Sequence, residues 1–162
     1  MSTLYVDNLQ PNLGSRVMAA GHVVQVKTAK TTALVTVSGT TNTSLGCPVT
    51  ITPSSANTLL FIQFNGHHAG AAGKAEFHLY QNGSQILFPS QGNIWIFDTT
   101  TGNEVYDPRA MSGVYSMTSG TTSPITFDVR GKGHGGTSIT FNGRSYTDGH
   151  FGSNLTVMEI AQ

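Results

Sequence analysis

No window of this chain spaces its apolar residues at i, i+3, i+4 and i+7, and that absence constrains the fold more than any motif in it. In place of helical spacing there is a succession of short β-forming runs punctuated by Gly, Pro and Asn. Residues 23–27 and 33–37 begin the series, followed by 49–52 and 59–64. Residues 75–81 then lead through Asn82-Gly83, a strong two-residue hairpin signal, into 85–88. Residues 94–97 and 113–117 flank a long polar loop, and 125–130 alternates cleanly enough to predict a strand wet on one face. A glycine loop joins it to 138–141, its expected hairpin partner. The fold class is all-β, an antiparallel β-sandwich or jelly roll.

The last run, residues 154–162, differs from the others. Leu155 and Val157 point one way, Met158 and Ile160 the other, and Thr156 and Glu159 are the polar interruptions. A strand with one wet face is apolar at one set of alternate positions only, so this one predicts a central strand covered on both sides. With the sequence ending two residues later, cover comes from the preceding chain or from a second copy. The expected oligomer interface is therefore Leu155, Val157, Met158 and Ile160, in a homotrimer.

Several segments resemble a known group. "NLTVMEIAQ", the opening "STLYVDNLQPNLGSRV" and the stretch "HVVQVKTAKTTALVTVSG…PVTITPSSANTLLFIQF" are similar to small virion structural proteins of marine and cyanobacterial tailed phages. The resemblance covers both ends and much of the first half, and leaves out about residues 81–120. It implies a trimeric tail fibre or head appendage with a tumour-necrosis-factor-like jelly roll. It also implies a virion location after assembly in the host cytoplasm, with other tail or capsid proteins as partners. The alternatives are a capsid decoration protein and a free lectin-like carbohydrate-binding module.

Residues 1–21 read as an extended virion-anchoring arm in front of a 22–162 head domain. Leu4, Val6, Leu9 and Leu13 are its anchoring side chains, while Pro11 and Gly14 break any helix. The chain of 162 residues has a formal net charge of zero and only 10% charged residues, against about 25% in ordinary soluble proteins. That balance offers no electrostatic footprint for nucleic acid or for an anionic membrane. Cys47 is the single cysteine and precedes Pro48, so it reads as a small buried hydrophobe. A basic n-region followed by an apolar h-region is missing from the N-terminus, so the expected product is soluble and made inside a cell.

Catalytic signatures are weak. Residues 131–136 match GxGxxG, but a strand rather than a helix follows, which removes the phosphate-binding helix N-terminus. There is no G-x-S-x-G elbow, and Glu104 and Asp107 sit in a loop. The reading is a non-enzyme without cofactor or metal. One refinement concerns His78 and His134, since one histidine per chain on a threefold axis makes a three-nitrogen site. Between residues 93 and 111, Trp95, Tyr106, Asp107 and Arg109 gather an aromatic face, a carboxylate and a guanidinium, the chemistry that holds a host-surface glycan. The competing reading makes Trp95 and Phe97 core, with Asp107 and Arg109 as an ordinary ion pair.

Overall fold

The computed structural model describes residues 20–69, 75–86, 109–133, 138–143 and 151–162. Its strands, in chain order, are β1 (Val23–Thr31), β2 (Val35–Ser38), β3 (Thr43–Ser44), β4 (Val49–Ile51), β5 (Leu59–Ala69) and β6 (Ala75–Gln81). They continue as β7 (Ser84–Gln85), β8 (Arg109–Thr118), β9 (Ile125–Gly133), β10 (Ser138–Phe141) and β11 (Ser153–Ile160). Two antiparallel sheets result, and the protein is a β-sandwich. The first sheet runs β1-β11-β5-β10-β2, with β8 on the other edge of β5. The second runs β3-β9-β6-β7, with β4 also on β9.

Alternation explains which face each strand buries. Leu60, Ile62 and Phe64 of β5 and Leu155 and Val157 of β11 turn inward, meeting Phe77 and Leu79 of β6 and Ile125, Phe127 and Val129 of β9. Phe64 and Phe77 lie with ring centroids 5.5 Å apart across this core. Cys47 is buried there too, and burial, reinforced by the charge of Asp128, pushes its thiol up to about 12. The hairpin between β6 and β7 forms as its sequence predicts: Asn82 and Gly83 both take positive φ, 49° and 83°, and Tyr80 faces Gln85.

One expectation is corrected. Strands β9 and β10 do not form a hairpin. Strand β10 pairs with β2 and β5 in the first sheet, while β9 lies between β6 and the β3/β4 edge in the second. The reason is visible at Gly131, where a Cβ would fall 2.6 Å from Phe141 Cε2. The ring of β10 packs across the sandwich onto a strand that has no side chain there. Along β9 the expected alternation holds at Thr126, Arg130 and Lys132, which are half-buried on the outer side, while Asp128 between them is buried.

Strands β11 and β10 share one edge of β5. Strand β11 pairs with Leu59 through Asn65 and β10 with His68 and Ala69, leaving a seam at Gly66 and His67. Asn142 closes the seam. Fully buried and left-handed at φ 69°, it donates from Nδ2 to the carbonyls of Ala33 (2.7 Å) and Leu45 (2.9 Å). Its Oδ1 accepts from the Ser153 hydroxyl, its N–H reaches the His67 carbonyl, and its own carbonyl accepts from the N–H groups of Phe151 and Gly152.

Candidate functional site

The four residues expected to meet a neighbour divide between the two faces of β11. Leu155 and Val157 have no exposed surface within a single chain, because the second sheet covers them. Their apolarity therefore belongs to the sandwich core and carries no message about neighbours. Met158 and Ile160 lie on the outer face and are half-buried.

That outer face can be read row by row from the strand register. Val26, Met158, Phe61 and Ser116 form one row across β1, β11, β5 and β8. Thr28, Thr156, Gln63 and Val114 form the next, with the Thr28 and Thr156 hydroxyls 3.0 Å apart. Ile160, Leu59 and Thr118 extend it on one side, and Lys30, Asn154, Asn65 and Ser112 on the other. Lys30 is the single charged residue in these four rows. Val26 is 52% exposed and Val114 54%. The face thus mixes apolar side chains with uncharged polar ones and carries almost no charge.

Glu159 lies on the inner side of β11, at the end of the sandwich, and is 0% exposed. Its carboxylate accepts from the Ser54 N–H and hydroxyl, both at 2.7 Å, and from Gln25 Nε2 at 2.6 Å. Burial works to raise its pKa, but the hydrogen bonds from Ser54 and Gln25 outweigh it and hold the carboxyl below its ordinary value. The group staples the 52–58 turn to β1 and β11.

The outer side of the second sheet carries a dense polar network. Glu76 sits 3.1 Å from Lys132 Nζ and 3.3 Å from His78 Nε2, and Gln85 Nε2 is 3.2 Å from His78 Nδ1. Asp128 accepts from Ser44 and from Arg130, whose guanidinium stands 4.3 Å over the Tyr80 ring. His78 is almost fully buried, and burial first, then Lys132, lower its pKa against the opposing pull of Glu76. The idea of a shared metal on a threefold axis therefore fails at His78, which is enclosed by its own chain. His134 lies outside the described residues.

Of the glycan candidates, Trp95, Tyr106 and Asp107 lie outside the described residues, as do the arm residues Leu4, Val6, Leu9 and Leu13. Arg109 opens β8, half-buried, and pairs in register with His68. His68 is enclosed near Phe141, and burial, then the charges of Arg109 and His67, lower its pKa to about 4. Sequence reasoning missed Asn142, Glu159 and the Phe151 region, since nothing in a loop Asn or a strand Glu announces partners about a hundred residues away.

No protein-family model matches the chain, and no characterised protein matches it. Among solved structures it is similar to a chain of the T13 IBDV viral particle, with a TM-score of 0.44 and 11% identity. It is also similar to a chain of the infectious bursal disease virus Gx strain, with a TM-score of 0.42 and 12% identity. Each likeness spans 98% of this chain but only 40% and 42% of the viral chains, so this chain is about two fifths of their length.

Proposed function

We propose that this chain is a structural subunit of a tailed-phage virion, a short homotrimeric tail fibre or appendage whose work is assembly. The observation that carries the reading is the outer face of the first sheet. Val26, Met158, Phe61 and Ile160 present apolar surface on a rigid sheet with one charge at its margin. Copies can bring such faces together around a common axis without desolvating ions or meeting like charge. Residues 1–21 then serve as the anchoring arm, with Leu4, Val6, Leu9 and Leu13 docking onto other virion proteins.

Light scattering on the purified chain is expected to give the mass of three 17.1 kDa subunits. Val26→Lys combined with Met158→Lys places two like charges in one row of that face. It is expected to yield a folded monomer, with the strand circular dichroism unchanged. A wild-type chain that runs as a lone subunit at micromolar concentration sinks the proposal. Removing residues 2–20 is expected to leave the oligomer intact while abolishing incorporation into particles.

A further inference from the structure

The seam between β11 and β10 leaves a cleft of about 220 Å³ on the first sheet, lined by Lys30, Asn65, His67, Phe151 and Asn154, with Thr31 and Thr32 at its side. Its construction is more deliberate than its size suggests. Lys30, Asn154 and Asn65 are consecutive cross-strand neighbours, so an ammonium and two amides stand side by side at one edge. At the other edge Phe151 is 46% exposed, and its ring lies 5.4 Å from that of His67, tilted by 38°. His67 Nδ1 is 3.3 Å from the Gly152 carbonyl, which sets the imidazole against the phenyl ring. The buried Asn142 carbonyl takes the N–H groups of Phe151 and Gly152 at 3.1 and 3.2 Å, so the exposed ring stands on a fixed backbone.

Phe151 packs one side of its ring on His67 and leaves nearly half of its surface open to water. The polar groups opposite keep capacity as well: the two amides meet only through Asn65 Nδ2 and Asn154 Oδ1, at 3.4 Å. That leaves Asn65 Oδ1 as an acceptor and Asn154 Nδ2 as a donor, and Lys30 enters no ion pair among the described residues. One cleft thus gathers an aromatic face, an acceptor, a donor and a cation. The cleft is smaller than the roughly 300–1,000 Å³ that encloses a drug-sized ligand, so it takes a single ring.

We propose that this cleft binds a saccharide unit bearing a carboxylate: the apolar face of the ring stacks on Phe151, its hydroxyls meet Asn65 and Asn154, and its carboxylate meets Lys30. The site lies within one chain, at the Lys30 margin of the face proposed to meet other copies, and a failure to bind sugar would leave the assembly reading standing. A neutral hexose stacks and hydrogen-bonds in the same way but leaves Lys30 unused.

Amide NMR titration of the full chain with methyl glucuronide and with methyl glucoside tests this. The expected shifts cluster at Asn65, His67 and residues 151–154, with the glucuronide binding several-fold more tightly. Phe151→Ala, at an exposed position, is expected to weaken both sugars about tenfold, the order of an aromatic stacking contact. Lys30→Gln is expected to bring the glucuronide down to the glucoside. No shifts at ten-millimolar sugar, shifts elsewhere on the sheet, or equal affinity for the two sugars in the wild-type chain would each overturn the proposal. So would a Phe151→Ala chain that binds as tightly as wild type.

Discussion

Asn142→Ala is expected to lower the unfolding free energy by about 4 kcal/mol. Truncation removes the donor shared by the Ala33 and Leu45 carbonyls and the acceptor of the Ser153 hydroxyl. Leaving a buried polar group without its partner costs about 1–3 kcal/mol, and two such groups are affected, the Leu45 carbonyl and the Ser153 hydroxyl, while Ala33 is exposed to water. Alanine must also adopt the left-handed backbone that asparagine tolerates, at about 1 kcal/mol. Asn142→Gly separates the two contributions: it loses the same hydrogen bonds without the conformational strain, so it should be about 1 kcal/mol milder than alanine. Urea midpoints of the three chains measure both differences. If alanine and glycine both fall within 1 kcal/mol of wild type, the residue does not hold the seam.

That residue also marks the boundary of what the sequence discloses. The Asn82-Gly83 turn, the antiparallel sheets and the inward positions Leu60, Ile62, Phe127, Leu155 and Val157 are legible, because turn chemistry and a period of two are local signals. The partition of strands between the two sheets is not. Residues 125–130 and 138–141 look like a hairpin because both alternate and a short glycine loop joins them. Only the fit of Phe141 onto Gly131 tells that they face each other across the core.

The closing strand was half legible. Its two apolar sides are real, but one of them fills the chain's own interior. Glu159 reads as a polar interruption until Ser54, 105 residues away, closes on it. The saccharide cleft was illegible for a similar reason. Lys30, Asn65 and Asn154 become neighbours through strand register, not through any spacing in the sequence.

Acidification from pH 7 to pH 4 is expected to remove at least about 3 kcal/mol of stability, most of it through His68. Above pH 6.5 the imidazole is neutral whether the chain is folded or not. Below that, the unfolded chain takes up a proton that the folded chain refuses until about pH 4, since burial and the nearby Arg109 disfavour the cation. Stability therefore falls as pH drops across this window, by about 1.4 kcal/mol for each tenfold gap in proton affinity. His78, whose pKa is also lowered by burial, loses stability in the same direction from pH 6.5 downward. Glu159 adds to the loss only at the acid end, where protonation below its ordinary 4.5 dismantles the Ser54 and Gln25 contacts. Urea unfolding at half-unit pH intervals gives the curve. Following the His68 imidazole C2 proton by NMR assigns it, because that ring should titrate near pH 4. The near-isosteric His68→Gln should flatten the segment between pH 6.5 and 4 and leave the acid end in place. An imidazole midpoint near 6.5 at His68, or a flat stability curve over that interval, would show that the enclosed ring gains its proton as readily as the unfolded chain does.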